Sequence, residues 1–398
     1  MLISGAGIAG PTLAFWLQAA GWEPVIVDHA PRLRTGGYVI DFWGLGYDIA
    51  ARMGLIEEIN RIGYHMRELR ILDPNGRRAS GFGTKVFGEL TGGRFVTLGR
   101  SDLSRLLFEK VQNNVEVIFG DQIGELHESG QAVTVTFEHS GERRFDLVIG
   151  ADGLHSRVRQ LAFGPEAQFE KRLGYAVAAF ETLGYRPRDE EVYTIYGAPG
   201  RMLGRFALHE DRTLFLFVFT AEPAEADLQE PAAQKALLRK RYGNNAWECS
   251  RILDELDRAP ELYFDRVSQI HMDRWSRGRV ALVGDAAFCV SLLAGQGSAL
   301  AMTAAYILAG ELANAAGDYQ RAFQRYEEVL RSFIRHKQDG AARFAGSFAP
   351  RTRLGLRFRD LVVHACALPG VTTLAFGRDI VDRLKLPEYR WPRLTQMI

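Results

Sequence analysis

The first ten residues constrain the fold of this chain more tightly than any later stretch. Gly5-Ala6-Gly7-Ile8-Ala9-Gly10 forms a G-x-G-x-x-G turn, and Asp28 follows Gly10 by 18 positions. Each glycine answers a separate steric demand. Gly5 allows a tight exit from a strand, Gly7 lets a pyrophosphate approach the backbone, and Gly10 lets the next helix pack close to the sheet. Free N–H groups and the positive end of that helix then face the phosphates. Residues 1–4 read as a short strand, 11–20 as an apolar helix, and 22–27 as a strand ending at Asp28, a carboxylate placed for ribose hydroxyls. Glycine-rich turns also cap ordinary helices. Strand, turn (with Ala9 inside it), helix and terminal acid together specify a dinucleotide site.

Composition bounds the rest. A chain of 398 residues can hold two or three domains, and 47% hydrophobic with 24% charged residues is ordinary for a soluble globular enzyme. A net charge of +1 gives no argument for nucleic acid. Cys249, Cys289 and Cys366 lie far apart, so they suggest neither a disulfide framework nor a metal cluster. With no basic leader ahead of the glycine turn, a cytoplasmic location is expected. Residues 286–310 contain no charged side chain, which is long enough for a membrane span. Gly284-Asp285 opens that stretch and Gly295-Gln296-Gly297 interrupts it, so it reads as a buried loop and helix.

Along the chain, Arg32-Leu33-Arg34-Thr35-Gly36-Gly37 makes a basic, glycine-rich loop, and 46–62 reads as one amphipathic helix. Residues 66–98 alternate as strands around an Asp73-Pro74-Asn75-Gly76 turn, and Ser101 suits the N-cap of the next helix. Strands are expected at 115–119, 132–138 and 144–149. A second, largely antiparallel sheet is expected at 175–182, 192–196, 202–208 and 213–219, followed by a helix at 232–243. Residues 279–284 form another buried strand, and the chain reads as helical from 319 onward. Arg351, Arg353, Arg357 and Arg359 read as a solvated helix face, with an anion patch as the alternative.

Two motifs turn the dinucleotide site into a flavin site. In the first, a buried strand (146–150) ends at Ala151-Asp152-Gly153 and leads into His155-Ser156-Arg157-Val158-Arg159, so that Asp152 can border the pyrophosphate. In the second, Gly284-Asp285-Ala286-Ala287 precedes Gly295-Gln296-Gly297. Asp285 can accept hydrogen bonds from ribityl hydroxyls, and the helix opening near Ser298 aims its positive end at the flavin ring. The expected fold is α/β: a Rossmann-like FAD-binding domain (1–65, 99–165 and 268–318), an inserted antiparallel-sheet substrate domain (66–98 and 166–267) and a C-terminal helical region (319–398).

This constellation resembles the flavin-dependent aromatic hydroxylases, the single-component FAD monooxygenases of the p-hydroxybenzoate hydroxylase type, from residue 2 to about residue 320. In Leu98-Gly99-Arg100-Ser101-Asp102-Leu103, Arg100 matches the R-x-x-L arginine that contacts the flavin in the family. Arg34, with Arg32 as its competitor, matches a basic residue near the flavin or the incoming nicotinamide nucleotide, and Gly37 closes that loop. Gly295-Gln296-Gly297, Arg52-Met53-Gly54 and a helical C-terminal RLKLPEY look closest to the tetracycline-inactivating subgroup. By that resemblance Arg201 contacts substrate, a solvated loop arginine being the plainer reading.

The resemblance implies bound FAD, transient NADPH or NADH, and O2. A C4a-hydroperoxide then hydroxylates a phenolic, polycyclic or polyketide-like small molecule, in a monomer or homodimer acting on neither nucleic acid nor membrane. No metal and no catalytic side chain is assigned. Phe288, Ser291 and Leu292 depart from the family's His and Pro-Pro, leaving the loop shape there open. A flavin-dependent halogenase is the enzymatic alternative, although W-x-W-x-I-P is missing. A non-catalytic flavin-fold binding protein is the other, opposed by the intact glycines and by Gly284-Asp285.

Overall fold

The computed structural model describes residues 1–34, 36–244, 246–366, 371 and 382–397. Its first sheet runs, edge to edge, Ser276–Arg277, Val280–Leu282, Val148–Gly150, Leu2–Ser4, Val25–Asp28 and Glu116–Phe119. All its pairings are parallel except that of Ser276–Arg277. The central strands are short, mostly apolar and wholly buried because protein covers them on both faces. Helices Ala9–Ala19 and Gly297–Asn314 pack on each other, and both are almost entirely buried. Helix Arg157–Ala162 contacts both this sheet and a three-stranded antiparallel one, Ile123–Ser129, Ala132–Phe137 and Glu142–Phe145.

A seven-stranded sheet forms the second layer, in the order Tyr263–Ile270, Glu170–Leu183, Arg212–Thr220, Arg201–Ala207, Val192–Ala198, Glu68–Leu72 and Arg78–Gly83. It is antiparallel apart from the pairing of Val192–Ala198 with Glu68–Leu72. One face buries Phe180, Leu203, Phe215 and Phe217 beneath helices Pro231–Tyr242 and Cys249–Arg258. The other face looks into the molecule. A ribbon of Val39–Trp43 and Phe95–Gly99 is a separate two-stranded sheet. Helix Tyr319–Phe348 spans 30 residues, and helix Arg353–Ala365 then packs against Arg78–Gly83.

Several sequence expectations are corrected. The single helix at 46–62 is two, Leu45–Arg52 and Ile56–Ile62, separated at Gly54, whose φ of +68° ends the first. Gly99, not Ser101, is the N-cap of helix Arg100–Glu109. The strand expected at 144–149 is shared between two sheets, Glu142–Phe145 and Val148–Gly150. Position 268, expected to reopen the cofactor domain, falls inside Tyr263–Ile270 of the seven-stranded sheet, and 95–99 lies outside that sheet. Residues 383–389 have no regular structure where a helix was expected, and 367–370 and 372–381 lie outside the described residues. Instead the tail lays Trp391 against Trp16 and Tyr306, with ring centroids at 4.7 and 5.5 Å, and Arg393 N–H donates to the Ala19 carbonyl. Among the described residues, no helix is long and apolar enough to cross a membrane, and no His/Cys/Asp/Glu group could hold a metal.

Candidate cofactor and substrate cavity

The glycine turn is built as its sterics require. Gly5 has φ +110°, and a β-carbon on it would lie 2.4 Å from the Ala151 carbonyl oxygen. A β-carbon on Gly10 would lie 1.9 Å from the Gly5 carbonyl oxygen. Gly7 differs: a β-carbon there would meet only the Arg100 guanidinium, at 3.7 Å, so its outer side is open. Asp28 braces the turn, its Oδ2 accepting from Ala6 N–H (2.7 Å) and its Oδ1 from Ala30 N–H (2.9 Å). Ser104, one turn beyond Arg100 on the same helix, donates to the Gly7 carbonyl at 3.2 Å. The sequence reading missed Ser104; its i+4 spacing from Arg100 was the available signal.

The other two motifs come to the same place. Gly284 (φ +65°) lies between Ala9 and Ala301, either of whose β-carbons would stand 3.3 Å from a β-carbon on Gly284. Asp285 follows, and a β-carbon on Gly297 would be 3.7 Å from its Oδ1. Gly295 is left-handed (φ +66°), Gln296 is the N-cap, and helix Gly297–Asn314 begins at the cavity wall. Burial pushes the Asp285 carboxyl above the usual range, and the nearby Arg100 cation opposes that shift. The Tyr38 and Tyr263 rings meet at a 55° tilt with centroids 5.3 Å apart, beside the same charges, and burial raises the Tyr38 phenol to about 12.

Asp152 also reaches the cavity, but its carboxylate is already engaged. It accepts from Ser156 Oγ (2.5 Å) and Val158 N–H (3.0 Å), which ties down the start of helix Arg157–Ala162. Neighbouring Gly153 (φ +80°) has nothing within 4 Å of where a β-carbon would stand, so backbone rather than carboxylate is offered there. Behind it, the buried Arg159 donates to the Ala286 carbonyl (3.0 Å), the Leu154 carbonyl (2.6 Å) and Glu166 (2.7 Å), tying the two motifs together. His155 bridges Asp265 (3.2 Å) and Glu166 (3.1 Å), and these two carboxylates raise it to about 9. Arg34 and Arg32 line the rim, with Arg34 hydrogen-bonded to the His29 ring, and Gly37 has open space around it.

Together these groups border one cavity of about 1770 Å³, which continues from the glycine turn to the inner face of the seven-stranded sheet. Its dinucleotide end suits FAD: two backbone positions with room for phosphate (Gly7 and Gly153), a guanidinium with no hydrogen-bond partner among the described residues (Arg100), and two carboxylates (Asp28 and Asp285). The sheet end is mostly apolar. Among its polar groups is Asp41, whose Oδ1 accepts from Thr97 Oγ1 (2.6 Å) and from the Tyr193 hydroxyl; burial raises the carboxyl of Asp41. Arg201 is not there. Its guanidinium donates to the Arg241 carbonyl at the end of helix Pro231–Tyr242, on the other face of the sheet, so the expected substrate contact is corrected. Tyr196 lies on that same far face, whereas Tyr193 and Phe206 line the cavity.

The FAD binding domain family matches residues 1–329. A flavin-dependent monooxygenase of Legionella longbeachae serogroup 1 (strain NSW150) is 33% identical over 403 residues, covering 98% of each chain. An uncharacterized protein of Mycobacterium tuberculosis (strain ATCC 25618 / H37Rv) is 40% identical over 349 residues, covering 85% of this chain and 91% of its own. The crystal structure of the tetracycline destructase Tet(55) superposes with a TM-score of 0.83 at 29% identity, covering 98% of each chain.

Proposed function

The chain belongs to the FAD binding domain family and is an FAD-dependent monooxygenase, and from that premise we propose that it uses NADPH or NADH and O2 to hydroxylate a phenolic or polycyclic small molecule. The observation that carries this reading is the cavity. One ligand site ordinarily occupies about 300–1,000 Å³, and a continuous cavity of about 1770 Å³ has room for FAD and a second sizeable molecule beside it. The relative named a tetracycline destructase acts, by its name, on a polycyclic compound, which agrees with a substrate of that size.

In this proposal Gly5, Gly7, Ala9 and Gly10 shape the pyrophosphate cradle, Asp28 takes ribose hydroxyls and Asp285 takes the ribityl chain. Gly284, Gly295, Gln296 and Gly297 shape the start of a helix whose partial positive charge would favour negative charge on a flavin held there. Arg100, beside Gly7, would face the bound dinucleotide, while Arg34 and Gly37 border the rim. When bound, FAD supplies the redox chemistry, passing two electrons from the nicotinamide to O2 so that one oxygen atom enters the substrate and the other leaves as water. The side chains position and enclose. The seven-stranded sheet closes the far side of the cavity and excludes water, and Asp41 Oδ2, unpartnered among the described residues, accepts a hydrogen bond from a substrate hydroxyl.

The test is NADPH and NADH oxidation by the FAD-loaded protein across a panel of phenols and fused-ring compounds under ¹⁸O2, with peroxide measured. Substrate-stimulated oxidation, little peroxide and one labelled oxygen in the product are expected. Oxidation that no compound stimulates, or that yields only peroxide, overturns the proposal.

A further inference from the structure

Register across the seven-stranded sheet sorts its cavity face into rows. Directly paired residues point to the same side, so Ile71, Ile195, Gly204, Leu216, Ala179 and Tyr263 form one continuous row. All six line the cavity. The rows on either side carry larger side chains that pack on protein at the cavity's edges. Met202, Val218 and Val177 pack against Leu293, against Ala345 of the long helix and against Ala349 just past its end. Phe206 and Leu214 pack against Tyr64 and Met66. Between them, Gly204, Leu216 and Ile195 stay partly exposed.

Gly204 is the anomaly in that row. Its backbone is not in the left-handed region, so no turn demands glycine there. A β-carbon would meet only ordinary contacts, Leu216 Cβ at 3.6 Å and Met202 Sδ at 3.8 Å, so no neighbour forbids a side chain. Glycine weakens a strand interior, and where nothing local requires it a close ligand approach is the remaining physical reason.

We infer that Gly204 sets the size limit of the substrate. Its missing side chain cuts a trough between two ridges of larger side chains, and a fused-ring molecule lies flat in it. This rests on the proposed function for the identity of the ligand, but the trough can be tested without turnover. The FAD-loaded protein is titrated with phenol, 1-naphthol and 1-hydroxyanthracene in the absence of nicotinamide, and binding is followed by flavin fluorescence and calorimetry. Wild type should bind more tightly as rings are added. Gly204→Ala, Gly204→Val and Gly204→Leu should weaken 1-hydroxyanthracene progressively, by about tenfold or more for leucine, and phenol by less than about threefold. Gly204→Ala should melt no lower than wild type, which keeps the series informative even if the leucine variant folds poorly. Equal losses for one and three rings, or no binding of any ring to wild type, overturn the inference. Ring-size-dependent binding without any oxidation of nicotinamide would instead overturn the proposed reaction and leave the trough standing.

Discussion

Gly10 sits directly under Gly5: a β-carbon on Gly10 would stand 1.9 Å from the Gly5 carbonyl oxygen, whereas one on Gly7 would find only a guanidinium nitrogen at 3.7 Å. The same turn therefore holds one glycine for packing and one for a ligand. Gly10→Ala should destabilise the protein by about 1–3 kcal/mol through overpacking. Gly7→Ala should leave the melting curve of the flavin-free protein unchanged and weaken FAD binding. Urea denaturation and flavin titration of both variants check this, and a Gly10→Ala protein as stable as wild type would contradict the close approach.

The two aspartates should separate in the same way. Asp152 holds Ser156 Oγ and Val158 N–H, so Asp152→Ala should remove a helix cap worth about 0.5–2 kcal/mol. The Asp285 carboxylate meets the Cys289 thiol but caps no helix, and Asp285→Ala should chiefly raise the dissociation constant for FAD. Comparable effects of both substitutions on flavin affinity, with neither affecting stability, would reverse the assignment.

His155 predicts a pH dependence. Asp265 and Glu166 raise it from its ordinary 6.5 to about 9, so the folded protein binds this proton more tightly than the unfolded chain does. Its contribution is fully present below pH 6.5 and is lost as pH rises towards 9. Thermal melts from pH 6 to 9.5 should show wild type losing stability over that window, and His155→Gln should flatten the loss. The site is half-exposed, so the effect is small.

Arg159 is fully buried with three acceptors on its guanidinium. Arg159→Met should strand the Leu154 and Ala286 carbonyls, about 1–3 kcal/mol for each buried acceptor left without its donor, while Glu166 keeps His155 and Arg266. A melting temperature within a degree of wild type would show that the two loops do not depend on it.

The parallel sheet and the glycine turn were legible in the sequence because their signals are local: a fixed spacing, apolar runs and a terminal acid. The cavity floor was not. Arg201 and Met202 are adjacent in sequence, yet successive strand residues face opposite sides, so a one-residue error of phase moves a side chain from the substrate side to the helix side. Arg201 carries that error. Asp152 shows a second limit, because a carboxylate beside a flavin motif can be engaged by its own helix, and only hydrogen-bond partners reveal it. The Asp41–Thr97–Tyr193 group joins three strands remote in sequence, and no spacing rule finds it.

The chain leaves the parallel sheet for the antiparallel one and returns, then does so again, before its long helices begin. Neither layer is therefore a contiguous stretch that could be excised and expected to assemble by itself. Heat should dismantle both in one cooperative event, and free energy gained when a dinucleotide is loaded at one end should protect the distant floor equally.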